Sequence, residues 1–163
     1  MRQLWAPWRM AYVGGERTHQ GCVLCAIADG DDQANRVVER AELTFTVLNL
    51  FPYSSGHVMV VPRRHVPDLT GLEEAEGTAV FAATRRAVLA LQDALKPDGF
   101  NVGVNTGLAA GAGITDHVHQ HVVPRWSGDT NFMPVLADVK VLPEHMEQTA
   151  ATLREAYARL AQG

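Results

Sequence analysis

The run Thr115-Asp116-His117-Val118-His119-Gln120-His121-Val122-Val123-Pro124-Arg125-Trp126 constrains this chain more than any other stretch. Three histidines alternate there with other residues in an otherwise apolar segment, a period of two that reads as an extended strand. Successive strand side chains point to opposite faces, so His117, His119 and His121 are expected in one row, about 6.6 Å apart. Val118, Gln120 and Val122 then face the other way. Imidazoles at that spacing suit two tasks: ligating a metal, or presenting one neutral ring as a nucleophile while its neighbours hold an anionic substrate. A strand whose histidines merely hydrogen-bond would account for one histidine better than for three in strict alternation.

The remainder supplies an ordinary soluble scaffold. At 163 residues, with 47% hydrophobic and 20% charged side chains, the chain is expected to form one domain, 1–163, with a proper core. Its formal charge of −4 argues against a general nucleic-acid surface, so an anionic ligand must be held by local groups. No apolar run approaches the length of a membrane span and no basic start leads into an apolar segment, so a cytoplasmic location with no membrane contact is expected. Cys22 and Cys25, the only two cysteines, stand three apart. In a reducing compartment that spacing points to metal or redox chemistry rather than to a structural disulfide.

Taken in order, residues 1–20 read as an irregular aromatic arm, with Trp5 and Trp8 around Pro7 as packing groups. A short helical piece follows Cys22 and stops at Gly30. Residues 43–50 and 57–62 read as two strands around a turn at 51–56, and Arg63-Arg64-His65 at the exit is either a solvated strand end or an anion site. Thr70 and Glu73 have capping-box spacing ahead of a helix expected over 72–95. Residues 100–105 form a further strand, and the Gly-rich turn at 106–113 runs directly into the histidine row, where a bare backbone lets a phosphate approach closely. After an irregular stretch at 127–134, Pro143 starts a last helix over 144–161. The pattern indicates an α+β fold with helices against a largely antiparallel sheet.

His117-Val118-His119-Gln120-His121-Val122-Val123 resembles, position by position, the signature of the histidine triad (HIT) nucleotide hydrolases and transferases. The resemblance extends through 49–62 and 105–113. The Trp5-x-x-Trp8-Arg9 start and the run 124–134 look most like the bacterial diadenosine tetraphosphate phosphorylase branch. It implies a HIT-like fold with sheets joined across a homodimer, and a nucleotide or dinucleoside polyphosphate substrate. His119 would attack the α-phosphorus to give a nucleotidyl-histidine, resolved by water or inorganic phosphate. His121 would hydrogen-bond the phosphoryl oxygens, with backbone N–H groups of Gly111, Ala112, Gly113 and Ile114 stabilising charge. Asn49 matches a ribose-binding position, Leu50 and Val47 would wall the base, and His57 and Asn105 match positions near the phosphates. One departure concerns the loop before the triad: many members carry Gly-Gln-Ser or Gly-Gln-Thr, whereas residues 111–116 here lack both side chains and are one residue longer. Phosphate chain length and the choice of polyphosphate over phosphoramidate therefore stay open.

Some branches complete a Cys-x-x-Cys pair with two histidines, here His65 and His117. Cys22, Cys25, His65 and His117 would then form a closed, structural zinc site that also orients the catalytic strand. Two buried thiols and a redox pair are the competing readings. For the whole chain the alternatives are a nucleoside phosphoramidase of the same fold and a non-catalytic nucleotide-binding zinc protein.

Overall fold

A computed structural model describes residues 21–129 and 145–162. The arm at 1–20, Pro143 and most of the irregular stretch before it lie outside the described residues. Within them the chain forms five strands and three α-helices: α1 (Val23–Asp29), β1 (Val37–Arg40), β2 (Thr44–Leu48), β3 (Val58–Pro62), α2 (Glu74–Leu95), β4 (Gly99–Val104), β5 (Gln120–Arg125) and α3 (Met146–Leu160). The strands make one sheet in the order β1-β2-β3-β5-β4, with every neighbouring pair antiparallel. The expected α+β architecture with an antiparallel sheet is the one observed. No described helix is long and apolar enough to cross a membrane.

Every residue of β2 and β3 is buried, because both faces of the sheet centre are covered. Register decides which side chain goes where. Leu48, Val58, Val122 and Val102 stand in one row across four strands; the first three join Val80, Ala83, Ala87, Leu91 and Leu153 beneath α2 and α3. The adjacent row, Val47, Met59, His121 and Gly103, faces the other way, where Leu24 and Ala28 of α1 cover Val37, Phe45, Val47, Met59 and Val61. The helices thus seal one face, and α1 leaves the β5 end of the other face for the histidines.

The structure departs from the sequence reading in four places. β1 was not expected: it is a four-residue strand whose Glu39 and Arg40 hide its pattern, and it forms against β2 through a register shift between Val37 and Glu39. The helix begins at Glu74 and not at 72, because its capping box is Glu73 with Glu76; Thr70 lies in a preceding 3-10 turn capped by Asp68. β5 begins only at Gln120, so the histidine row is part strand and part loop. Val47, expected to wall a base, is 1% exposed within the core under α1 and has no surface to offer.

Candidate active site and metal centre

His57, His119 and His121 meet on the open face of the sheet. His57 leaves the loop after β2, where Gly56 adopts φ +76° and lies so close to Leu91 and Leu95 of α2 that a Cβ would collide. The positive φ favours glycine there, while the leucine side-chain ends could shift to admit a Cβ. His57 is fully buried, stacks on Tyr53 at 4.8 Å, and lies 5.1 Å from the His121 ring; His119 meets His121 edge-on at 4.9 Å.

Fixed donors and acceptors set the proton on each ring. The backbone N–H of Tyr53 donates to His57 Nδ1 (2.9 Å), so the His57 proton resides on Nε2, which donates to His121 Nδ1 at 3.0 Å. His121 then carries its own proton on Nε2. His119 Nδ1 lies 2.9 Å from the His117 carbonyl, which can only accept, so Nδ1 is the protonated nitrogen and Nε2 keeps the lone pair. Burial holds the His119 pKa below the ordinary imidazole value, opposed only in part by that carbonyl. The arrangement is a neutral ring with a free lone pair beside a ring that presents an N–H.

Of the other residues expected at the site, Asn49 accepts from Phe51 N–H (3.0 Å) and turns its amide toward His57 Nδ1 (3.4 Å), so it builds the loop as well as bordering the site. Leu50 is 56% exposed beside Phe51 and Tyr53, which sequence reasoning missed as apolar surface on the same loop. Asn105 directly follows Val104, the β4 residue opposite Gln120 at which the pairing with β5 ends. The Gly-rich loop contributes less than expected: Gly111 and Ala112 turn their N–H groups onto Leu108 and Gly107 carbonyls to close a 3-10 turn. Gly113 and Ile114 remain as donors, and the Ile114 side chain packs on the core under α1.

The second cluster lies at the start of the same stretch. Cys22 at the N-cap of α1, Cys25 one turn on, His65 after β3 and His117 place their ligand atoms within 4.8 Å of one another. His117 Nε2 faces the Pro62 carbonyl at 2.9 Å, so its proton sits there and Nδ1 points its lone pair at Cys22 Sγ (3.4 Å) and Cys25 Sγ (3.6 Å); His65 Nδ1 is 3.3 Å from Cys25 Sγ. Tetrahedral zinc with ordinary bond lengths needs sulfur–nitrogen edges of about 3.6 Å. The donor set therefore fits zinc, and both thiols are free of a disulfide. Burial, then the neighbouring Cys22, pushes the Cys25 thiol up to about 11, an environment in which thiolates need a cation beside them. Arg64 pairs with Glu76 and the Gly71 carbonyl, which accounts for it structurally, while His65 belongs to this cluster.

The Pro62 carbonyl, the Tyr53 amide and the contact of His57 with His121 carry no local sequence signal, since two of the three join residues more than fifty positions apart.

Comparison with known proteins gives consistent matches. The HIT domain family matches residues 31–128. An AP-4-A phosphorylase from Mycobacterium tuberculosis is 36% identical over 98% of this chain and 86% of its own length. An asymmetrical bis(5'-nucleosyl)-tetraphosphatase from Schizosaccharomyces pombe is 34% identical, over 58% of this chain and 52% of its own. The crystal structure of a zinc-bound histidine triad family protein from Mycobacterium smegmatis superposes with a TM-score of 0.71 at 30% identity, covering 87% of this chain and 96% of that one.

Proposed function

Because the chain belongs to the HIT family, we propose that it is an enzyme of nucleotidyl transfer acting on dinucleoside polyphosphates such as diadenosine tetraphosphate, with His119 as nucleophile. The observation that carries this reading is the His119 Nδ1–H bond to the His117 carbonyl, which leaves Nε2 as a lone pair on a ring held neutral by burial. That lone pair attacks the α-phosphorus: an N–P bond forms, the P–O bond to the rest of the polyphosphate breaks, and the nucleoside polyphosphate leaves. His121 Nε2–H is the donor for a phosphoryl oxygen, its proton kept on that nitrogen by His57. Backbone N–H groups of Gly113 and Ile114 add charge stabilisation, and Leu50 with Phe51 offers apolar surface to a base. Water or inorganic phosphate then takes the nucleotidyl group and frees the ring.

Cys22, Cys25, His65 and His117 hold zinc in this reading, and the metal fixes local structure rather than reacting. The relatives' names support the substrate class, the AP-4-A phosphorylase most directly because the alignment spans nearly the whole chain.

The test is to incubate the protein with diadenosine tetraphosphate, with and without inorganic phosphate, and separate the products. ADP plus ATP formed only with phosphate makes it a phosphorylase; AMP plus ATP without phosphate makes it a hydrolase. His119→Ala is expected to abolish turnover while nucleotide binding persists. Turnover of this variant at the wild-type rate overturns the assigned nucleophile, and cleavage of a nucleoside phosphoramidate in place of the polyphosphate overturns the substrate class.

A further inference from the structure

Gln120 separates the two reactive histidines and points to the opposite face of the sheet. Its cross-strand partners are Val60 of β3 and Val104 of β4, and Val60 belongs to the core that also holds Val80, Ala83 and Ala87 of α2. An amide in such surroundings is costly unless its hydrogen bonds are made. Gln120 Nε2 donates to Thr84 Oγ1 of α2 at 2.9 Å, and the Thr84 hydroxyl in turn donates to the Val80 carbonyl at 2.8 Å. Thr84 is 6% exposed and its bond to Val80 is buried, while the Gln120 amide that reaches it is half-buried.

The backbone explains why a tether is useful at that residue. The pairing of β5 with β3 ends at Val60 opposite Gln120, and the pairing with β4 ends at Val104 opposite Gln120. The ladder on both sides therefore stops one residue short of His119. On the other side of His119 the next fixed point is Val118 N–H, bonded to the Val66 carbonyl at 2.7 Å. His119 is bracketed by these two anchors, and the side chain of Gln120 is the part of the bracket that reaches α2.

We propose that Gln120 is a positioning residue for His119, acting through Thr84; the inference rests on His119 being the nucleophile. Locking the Gln120 side chain fixes the peptide through which His119 leaves the strand, and so the direction in which Nε2 points. Displacing a reacting group by a fraction of an ångström lowers the rate of the chemical step and leaves affinity for the rest of the substrate largely intact.

The experiment compares Gln120→Leu, Thr84→Val, the double variant and Thr84→Ser in steady-state turnover of diadenosine tetraphosphate. Each apolar single variant is expected to lower kcat by about tenfold, the rate equivalent of one hydrogen bond. KM stays near the wild-type value, the double variant is no worse than either single, and Thr84→Ser restores kcat. A purely structural role predicts the reverse: a lowered melting temperature with kcat near wild type, which overturns the proposal. A second readout needs no turnover. Long-range 15N–1H NMR of the imidazoles is expected to show His119 as a single Nδ1–H tautomer in the wild type and an averaged signal in Thr84→Val. Unchanged spectra overturn the positioning role even if the wild type turns over nothing, whereas a wild type inactive on polyphosphates with the expected NMR change sinks only the substrate assignment.

Discussion

His57, His117, His119 and His121 each have their proton placed by a backbone group or by another histidine, and that placement decides what each ring can do. His117 gives its Nε2–H to Pro62 and leaves Nδ1 facing the two thiols; His119 gives Nδ1–H to the His117 carbonyl and leaves Nε2 with its lone pair. One residue, His117, therefore meets the cysteine pair with its ring and orients His119 with its carbonyl. The pH behaviour follows from burial. Protonated imidazole has no lone pair to attack with, and burial lowers the His119 pKa, so the ring stays competent at pH values where a free histidine is already charged. The acid limb of kcat/KM, which reports the free enzyme, is expected below about 6.5 and not at it. A limb above that value would contradict the burial account. The alternation of residue types was enough to locate these groups in the sequence. Their tautomers were not legible, because the deciding partners, Pro62 and Tyr53, are main-chain groups that any residue could provide.

The elements bearing these residues differ in how far local pattern specifies them. α2 was readable from its apolar period over six turns, and α3 likewise; the true cap of α2 was not, because Thr70–Glu73 and Glu73–Glu76 share one spacing and only the packing of Arg64 on Glu76 selects the second. β1 carries too few residues to show a period. It matters through Arg40, whose guanidinium donates to the Ala28, Ile27 and Gly30 carbonyls and pairs with Asp32. These carbonyls lie at the end of α1, where only that of Ile27 also accepts a capping N–H, from Gly30. β1 thus holds the helix whose other end carries Cys22 and Cys25. Arg40→Met keeps the aliphatic stem and removes the donors. It is expected to cost about 2 kcal/mol in urea unfolding, the range for hydrogen bonds from a charged group. The same variant is expected to release metal to a chelator more readily; unchanged release would show that the Cys pair is positioned without β1.

At the scale of the molecule, the Cys22, Cys25, His65 and His117 cluster brings the α1 segment against the loop that leads into β5, across 95 positions of sequence from Cys22 to His117. Metal analysis of protein purified without chelator is expected to find about one zinc per chain, and chelation to lower the melting temperature, because binding energy at such a site is folding energy. The remaining large-scale feature is the edge. Among the described residues β4 is one of the two outer strands, six residues long, and its sequence Gly-Phe-Asn-Val-Gly-Val has none of the lysines or prolines that blunt exposed edges. Val102 is 48% exposed on the helix-side face beyond the cover of α2, and Phe81, on the flank of α2 that also carries Thr84 toward β5, is 72% exposed. Among the described residues nothing pairs with the outer side of β4, and the dimer implied by the family resemblance would bring a second copy there, β4 against β4. Light scattering is expected to give the mass of two chains, and Val102→Glu, which sets like charges against each other across a two-fold, to give the mass of one. Amide exchange separates the edge from the flank of α2: protection of the outward N–H groups of β4 in the wild type, lost in Val102→Glu, would show the sheets joined. A dimer whose β4 amides exchange freely would mean that α2 alone makes the contact, and a monomeric wild type would remove the dimer altogether.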